Sequence, residues 1–265
     1  MNYILNIIPS PNDTRDLLAG NVYSTDYIFP DIVDYRSILQ PIRDQGEQGT
    51  CAAQTASCMK EWQEFHDFQF NEYMSPQFIY NNRSNQESEG MFGRDVMKIL
   101  HKIGSIPESK YPYDLIQKPT QISSGLFLAA SSHKIKGYAK INSVIELKKA
   151  LIKNGPCYFA VPVYNYSATM WKPSNDEKKI GGHAMTCVGY NSEGFIIRNS
   201  WGKDWGDNGY TIFPYQDFSI AFDIWTTIDE QSYKPSPPLI EEDTEPEHFD
   251  PNSNSIDCSK LCIIT

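Results

Sequence analysis

Residues 41–53 read PIRDQGEQGTCAA, and the chain runs on as QTASCMKEWQEFH through residue 66. A glycine-containing loop gives way there to small and apolar residues at helical spacing, which predicts a helix beginning at Cys51 with Thr50 at its start. A cysteine at that place faces the positive end of the helix dipole, and with an imidazolium nearby it is held as thiolate, the nucleophilic form. Cys51 is therefore a candidate nucleophile, provided the chain supplies a base. Without one it is only a buried cysteine, as Cys58, seven residues on along the same face, is read to be.

The candidate base is His183, in IGGHAMTCVGY (residues 180–190), where two glycines allow close backbone approach and the following residues read as a buried strand. The ring needs an orienting partner. Asn199, in FIIRNSWGKDWG (residues 195–206), can bond the ring nitrogen that does not face sulfur and fix the tautomer without adding charge. Taken singly, a histidine beside glycines or an asparagine before Ser-Trp is more often a turn residue. The combination carries the argument.

Working outward, 265 residues with 40% hydrophobic and 21% charged side chains suffice for a substantial core without metal or disulfides. The formal charge of -10 argues against a nucleic-acid partner, which would need a basic face. Residues 1–28 form a polar, turn-rich leader, and FPDIVDYR follows as an extended entrance to the folded body. Helical spacing recurs in MSPQFIYNNR, GRDVMKILHKIG and SVIELKKALIKNG. Past about residue 132, HKIKGYAKI, CYFAVPVY, HAMTCVGYN, GFIIRNSWG and NGYTIFPY alternate like strands. A helix-rich half thus precedes a strand-rich half. Residues 229–265 mix prolines and acids with few apolar residues and read as a flexible tail.

Three segments, PIRDQGEQGTCAA, IGGHAMTCVGY and RNSWGKDWGDNGY, resemble in order, character and spacing the active-site blocks of the papain family of cysteine peptidases, cathepsins included. Gln45 precedes Cys51, and Asn199 follows His183, at the family's intervals. The resemblance covers residues 29–228. It implies an α+β fold with a helical lobe near 45–131, an antiparallel, barrel-like β lobe near 132–228, and the cleft between them. It further implies Cys51, His183 and Asn199 as the catalytic set, hydrolysing peptide bonds through a thioester, with Gln45 and the Cys51 N–H as oxyanion donors. Trp201 would shield the His–Asn bond. Gly90, Met91, Phe92 and Gly182 would bind an extended peptide or protein substrate, Met91 and Phe92 favouring an apolar side chain. No metal or cofactor is implied.

Departures from the family pattern are informative. Gln48 stands where secreted members carry a half-cystine, and six cysteines in dissimilar settings read as reduced, hence an intracellular, cytosolic chain, without a signal peptide. Ala52 replaces a tryptophan, removing packing but no catalytic atom. The absence of an occluding loop makes endopeptidase action the default. Residues 1–28, shorter than the family's helical pro-segment, are expected to cross the cleft and hold the enzyme latent, or else to pack on the surface. Membrane contact is expected only if Cys262, in the terminal CIIT, is lipidated. A monomer is expected. The rival readings are a catalytically silent peptide-binding module and an exopeptidase.

Overall fold

The computed structural model describes residues 3–23 and 28–228. The expected tail, with Cys258 and Cys262, lies outside the described residues. Among the described residues five α-helices form: α1 Cys51–Phe68, α2 Pro76–Asn81, α3 Gly93–Lys102, α4 Ser124–Ala130 and α5 Val144–Asn154. The first starts at Cys51, as the sequence predicts, and its residues from Cys51 to Glu64 are all buried. Ser75 and Ser143 cap α2 and α5, each hydroxyl accepting a first-turn amide, from Phe78 and Glu146.

Seven strands, β1 Val33–Asp34, β2 Gly137–Lys140, β3 Cys157–Val163, β4 Gly181–Tyr190, β5 Gly194–Arg198, β6 Tyr210–Pro214 and β7 Asp223–Ile228, form one sheet in the order β2-β7-β3-β4-β5-β6. Every pairing is antiparallel, and β1 adds to β4. Among the described residues no pairing joins β2 to β6, so the barrel-like lobe is an open sheet by its hydrogen bonds.

Register decides what each face carries, since directly paired residues share a face. Ala184 pairs with Ala160, and Ala160 with Asp223, so these three stand in a row across β4, β3 and β7. On this face α1 and α3 pack in a cluster that includes Cys51, Ala52, Met59, Met97, Tyr158, Ala160, Ala184 and Trp225. The opposite face carries Phe159, Val161, Met185 and Ile224 against α5 through Leu147 and Leu151, and Trp201 joins that second cluster. Residues small enough to let α1 lie close to β4 thus put the helix N-terminus beside the start of the strand that bears His183.

The leader is part of the packed body. Its first described residues run parallel to the beginning of β4: the Gly182 amide donates to the Leu5 carbonyl at 3.1 Å, and the Ile7 amide donates to the Gly182 carbonyl at 3.2 Å.

Candidate active site

Three separate stretches supply the site. Cys51 comes from the first turn of α1, His183 from the third residue of β4, and Asn199 from the residue just after β5. All three are buried. The His183 ring places Nε2 2.7 Å from Asn199 Oδ1, which assigns that nitrogen the proton, because a carbonyl oxygen can only accept. Nδ1 is buried and makes no hydrogen bond. It is therefore the nitrogen left for sulfur. The Cys51 thiol is reached by the backbone N–H of Ala184, the residue after His183, and by the amides of Ala52 and of Cys51 itself. Two free amides of a helix start and one strand amide converge on that sulfur.

Electrostatically the pair is neutral as it stands. Burial pushes the Cys51 pKa up to about 11, outweighing the three N–H groups that pull it down. Burial likewise pushes His183 down to about 4, against the hydrogen bond to Asn199. Neither group is charged between these values.

Gln45 is buried and held on every side. Its amide donates to the Ser200 carbonyl at 2.8 Å, its side-chain oxygen accepts the Ser200 hydroxyl at 2.8 Å, and its Nε2 donates to the Gln48 carbonyl at 3.0 Å. One N–H of the carboxamide is left over. Ser200, which sequence reasoning passed over, thus bonds Gln45 by both backbone and side chain from beside Asn199, and its own amide donates to Asn199 Oδ1 at 2.8 Å. Its position inside the NSW triplet was the available signal.

Trp201 lies over the His183 ring, centroids 4.4 Å apart, and meets Trp205 edge-on at 5.8 Å. On its other side Tyr3 of the leader stacks at 4.6 Å with planes within 5°. Gly90 and Gly182 face the leader from opposite walls. A β-carbon on Gly90 would fall 1.9 Å from the Asn6 carbonyl oxygen, and one on Gly182 would fall 2.2 Å from that of Ile7. Met91 belongs to the same cluster as Ile7 and Cys51, while Phe92, half-buried, caps α3. Residues 5–7 of the leader thus lie against Gly90 and Gly182, two of the residues expected to bind substrate. Beyond them, the Ser10 hydroxyl donates to Asp223 Oδ2 at 2.7 Å, and Arg94 binds the Asp16 carboxylate through Nε at 2.8 Å and a terminal nitrogen at 2.5 Å.

Among the described residues no group of three or more His, Cys, Asp or Glu side chains is placed to hold a metal ion. Cys51, Cys58, Cys157 and Cys187 are unpaired and buried. No helix of the described residues is long and apolar enough to cross a membrane.

Comparison with known proteins places the chain in a family. The family model of the papain family cysteine proteases matches residues 29–221. A peptidase C1-like protein of Acanthamoeba polyphaga mimivirus is 30% identical over 248 residues, 82% of this chain and 76% of its own. Cysteine proteinase 3 of Entamoeba histolytica is 28% identical over 206 residues, 73% of this chain and 66% of that protein. Among solved structures, xylellain, a cysteine protease from Xylella fastidiosa, superposes with a TM-score of 0.73 at 29% identity, covering 85% of this chain and 96% of its own. The chain belongs to the papain family of cysteine proteases and is a hydrolase of the cysteine-peptidase class. Its fold is the α+β papain-like one, shared also with a digestive procathepsin L 3 of Tenebrio molitor at a TM-score of 0.62.

Proposed function

We propose that Cys51, His183 and Asn199 are the catalytic set of an endopeptidase that is latent while its own leader fills the channel. The observation that carries this reading is the orientation of one ring: Asn199 takes Nε2 of His183, leaving Nδ1 on the strand whose next amide reaches the Cys51 sulfur. With the leader gone, water returns to both groups and the burial that keeps them neutral falls away. The proton then moves from sulfur to imidazole, since the helix N-terminus and the three amides favour the thiolate.

The thiolate attacks the carbonyl carbon of the scissile peptide bond, and the oxyanion takes the remaining Gln45 N–H and the Cys51 backbone N–H. Losing one such donor typically costs about 3 kcal/mol of transition-state stabilisation. His183 gives its Nδ1 proton to the leaving amine, a thioester remains on Cys51, and water activated by the same nitrogen hydrolyses it. Trp201 keeps water from the His–Asn bond. The substrate lies extended between Gly90 and Gly182, where the leader now lies. Four unpaired thiols are in keeping with a reducing, intracellular compartment, and relatives of viral and protozoan origin are in keeping with a microbial or viral setting.

The test is turnover of a quenched fluorescent peptide library by the chain with its leader loosened, by substitution at Ile7. Cleavage at internal bonds that disappears in Cys51→Ala and in His183→Ala is expected. Cleavage surviving Cys51→Ala refutes the assignment, and products trimmed only from an end refute the endopeptidase part.

A further inference from the structure

The bonds from Ser200 and Gln48 leave one polar group of Gln45 to be met, its backbone carbonyl, and the partner comes from the other lobe: the Tyr113 hydroxyl donates to it at 2.8 Å. A phenol has one proton to give, so in its second bond, with the Thr50 hydroxyl at 2.6 Å, the threonine is the donor. One oxygen atom therefore ties both ends of the loop 45–50. At one end stands the residue with the side-chain oxyanion donor, and at the other the residue just before the backbone donor of Cys51. Gln45 and Thr50 are buried. Burial also pushes the Tyr113 pKa up to about 12, so the tie stays intact well into the alkaline range.

Tyr113 is itself held from α2. The Ser75 hydroxyl, at the start of that helix, donates to the Tyr111 carbonyl at 2.6 Å, and Asn81, at its end, donates to the Tyr111 hydroxyl at 2.7 Å. Past the Tyr113 ring, the Asp114 amide donates to Gln77 Oε1 at 3.1 Å. The backbone there is left-handed, φ 67°, a conformation that costs an aspartate unless its surroundings impose it. The Asp114 carboxylate accepts from Gln48 Nε2 at 2.5 Å, and Gln48 is the residue whose carbonyl receives the Gln45 carboxamide. Residues 113 and 114 thus fasten the loop at 45, 48 and 50. At 48, where secreted members carry a half-cystine, the tie is a hydrogen bond.

We propose that Tyr113 is a positioning residue for the oxyanion hole, its hydroxyl setting where the Gln45 and Cys51 donors stand relative to each other. The inference rests on the peptidase reading above. An oxyanion donor accelerates the reaction only if it already stands where charge develops, so looseness in its loop lowers the rate of acyl transfer and leaves substrate affinity alone. Without the Tyr113 hydroxyl, the buried Gln45 carbonyl loses its donor and the Thr50 hydroxyl its acceptor, and both turn to other partners. The carboxamide N–H that Gln45 keeps for the oxyanion then loses its fixed direction.

The experiment uses the full chain carrying Ile7→Asp, with and without Tyr113→Phe, in two reactions of Cys51. Peptide turnover passes through an oxyanion. Alkylation by iodoacetamide does not: the thiolate displaces iodide at a saturated carbon, and the carbonyl oxygen takes up no charge. Tyr113→Phe is expected to lower kcat by roughly tenfold to a hundredfold with KM little changed, and to leave the rate and pH profile of alkylation within about twofold. Beside Gln45→Ala the same change is expected to cost less than about threefold, because the donor it positions is already gone. An unchanged kcat overturns the proposal. So does a loss of turnover matched by an equal loss of alkylation, the mark of a damaged fold, or a loss that keeps its full size beside Gln45→Ala. Where Gln45→Ala alone leaves kcat untouched, or where the parent cleaves no peptide, the peptidase reading fails first and this inference with it.

Discussion

Replacing Ile7 with aspartate should convert the latent chain into a reactive one. Ile7 is 2% exposed and packs beside Cys51, Met91 and Ala184. Losing its burial alone removes about 3 kcal/mol of docking free energy, roughly a hundredfold in the equilibrium between docked and undocked leader. A carboxylate in that apolar cluster adds a desolvation cost of several kcal/mol. Two states of the sulfur are then distinguishable. Docked, Cys51 has its pKa near 11, so at pH 7 only about one thiol in ten thousand is ionised. Undocked, the re-solvated pair ionises in the neutral range. Iodoacetamide uptake at Cys51, read by peptide mass spectrometry, should rise at least a hundredfold at pH 7. Its pH profile should change from a tenfold climb per unit up to about 11 into a plateau around neutrality. The opposite outcome is equally sharp. Were the leader to stay docked, the new carboxylate beside the thiol would raise its pKa further and slow alkylation. A rate equal to or below that of the parent, in a protein with an unchanged circular dichroism spectrum, refutes the argument.

Gly90→Ala approaches the same latch from the other wall: the three atoms nearest its β-carbon all belong to Asn6, so alkylation of Cys51 should accelerate with little loss of melting temperature. Asn199→Ala removes the acceptor that fixes the His183 tautomer, and turnover of the loosened chain should fall by two orders of magnitude or more with KM little changed. Acid should weaken the docked state. His183 has its folded pKa depressed to about 4 against an ordinary 6.5, so the docked chain binds fewer protons than the open one in that window. Its stability is full above 6.5 and is lost as pH falls toward 4, by up to about 3 kcal/mol, which urea titrations at pH 7 and pH 4.5 would detect. His183→Gln should flatten that difference.

The parts of the site that were legible are those whose chemistry is local. A loop rich in glycine followed by small residues marks the start of α1 at Cys51, and glycines before a histidine mark the entry of β4. Helices α1, α2, α3 and α5 and strands β2 to β6 follow from period and from turn residues. Strand β7, buried on nearly all of its length between β2 and β3, was not read from FDIWTTI. Helix α4 was missed because its seven residues, SGLFLAA, are too few and too uniformly apolar to show a helical period, although Leu126, Phe127 and Ala130 pack on Phe78 and Ile106. The docking of YILNII was one of two expectations, drawn only from its place ahead of the folded body, since a short run of apolar residues names no partner. Its contacts, Tyr3 on Trp201 and Ser10 on Asp223, join residues roughly two hundred positions apart, which no periodicity encodes.

Cys51, once uncovered, should carry the acyl group on its sulfur. Rapid-quench intact mass spectrometry of the Ile7→Asp chain mixed with an activated peptide ester measures this directly. One acyl adduct per chain is expected within the first turnover, located on the peptide containing Cys51, labile to hydroxylamine, and absent in the Cys51→Ala double variant. Product released with no adduct on Cys51, or an adduct on Cys58 or a serine instead, would contradict it.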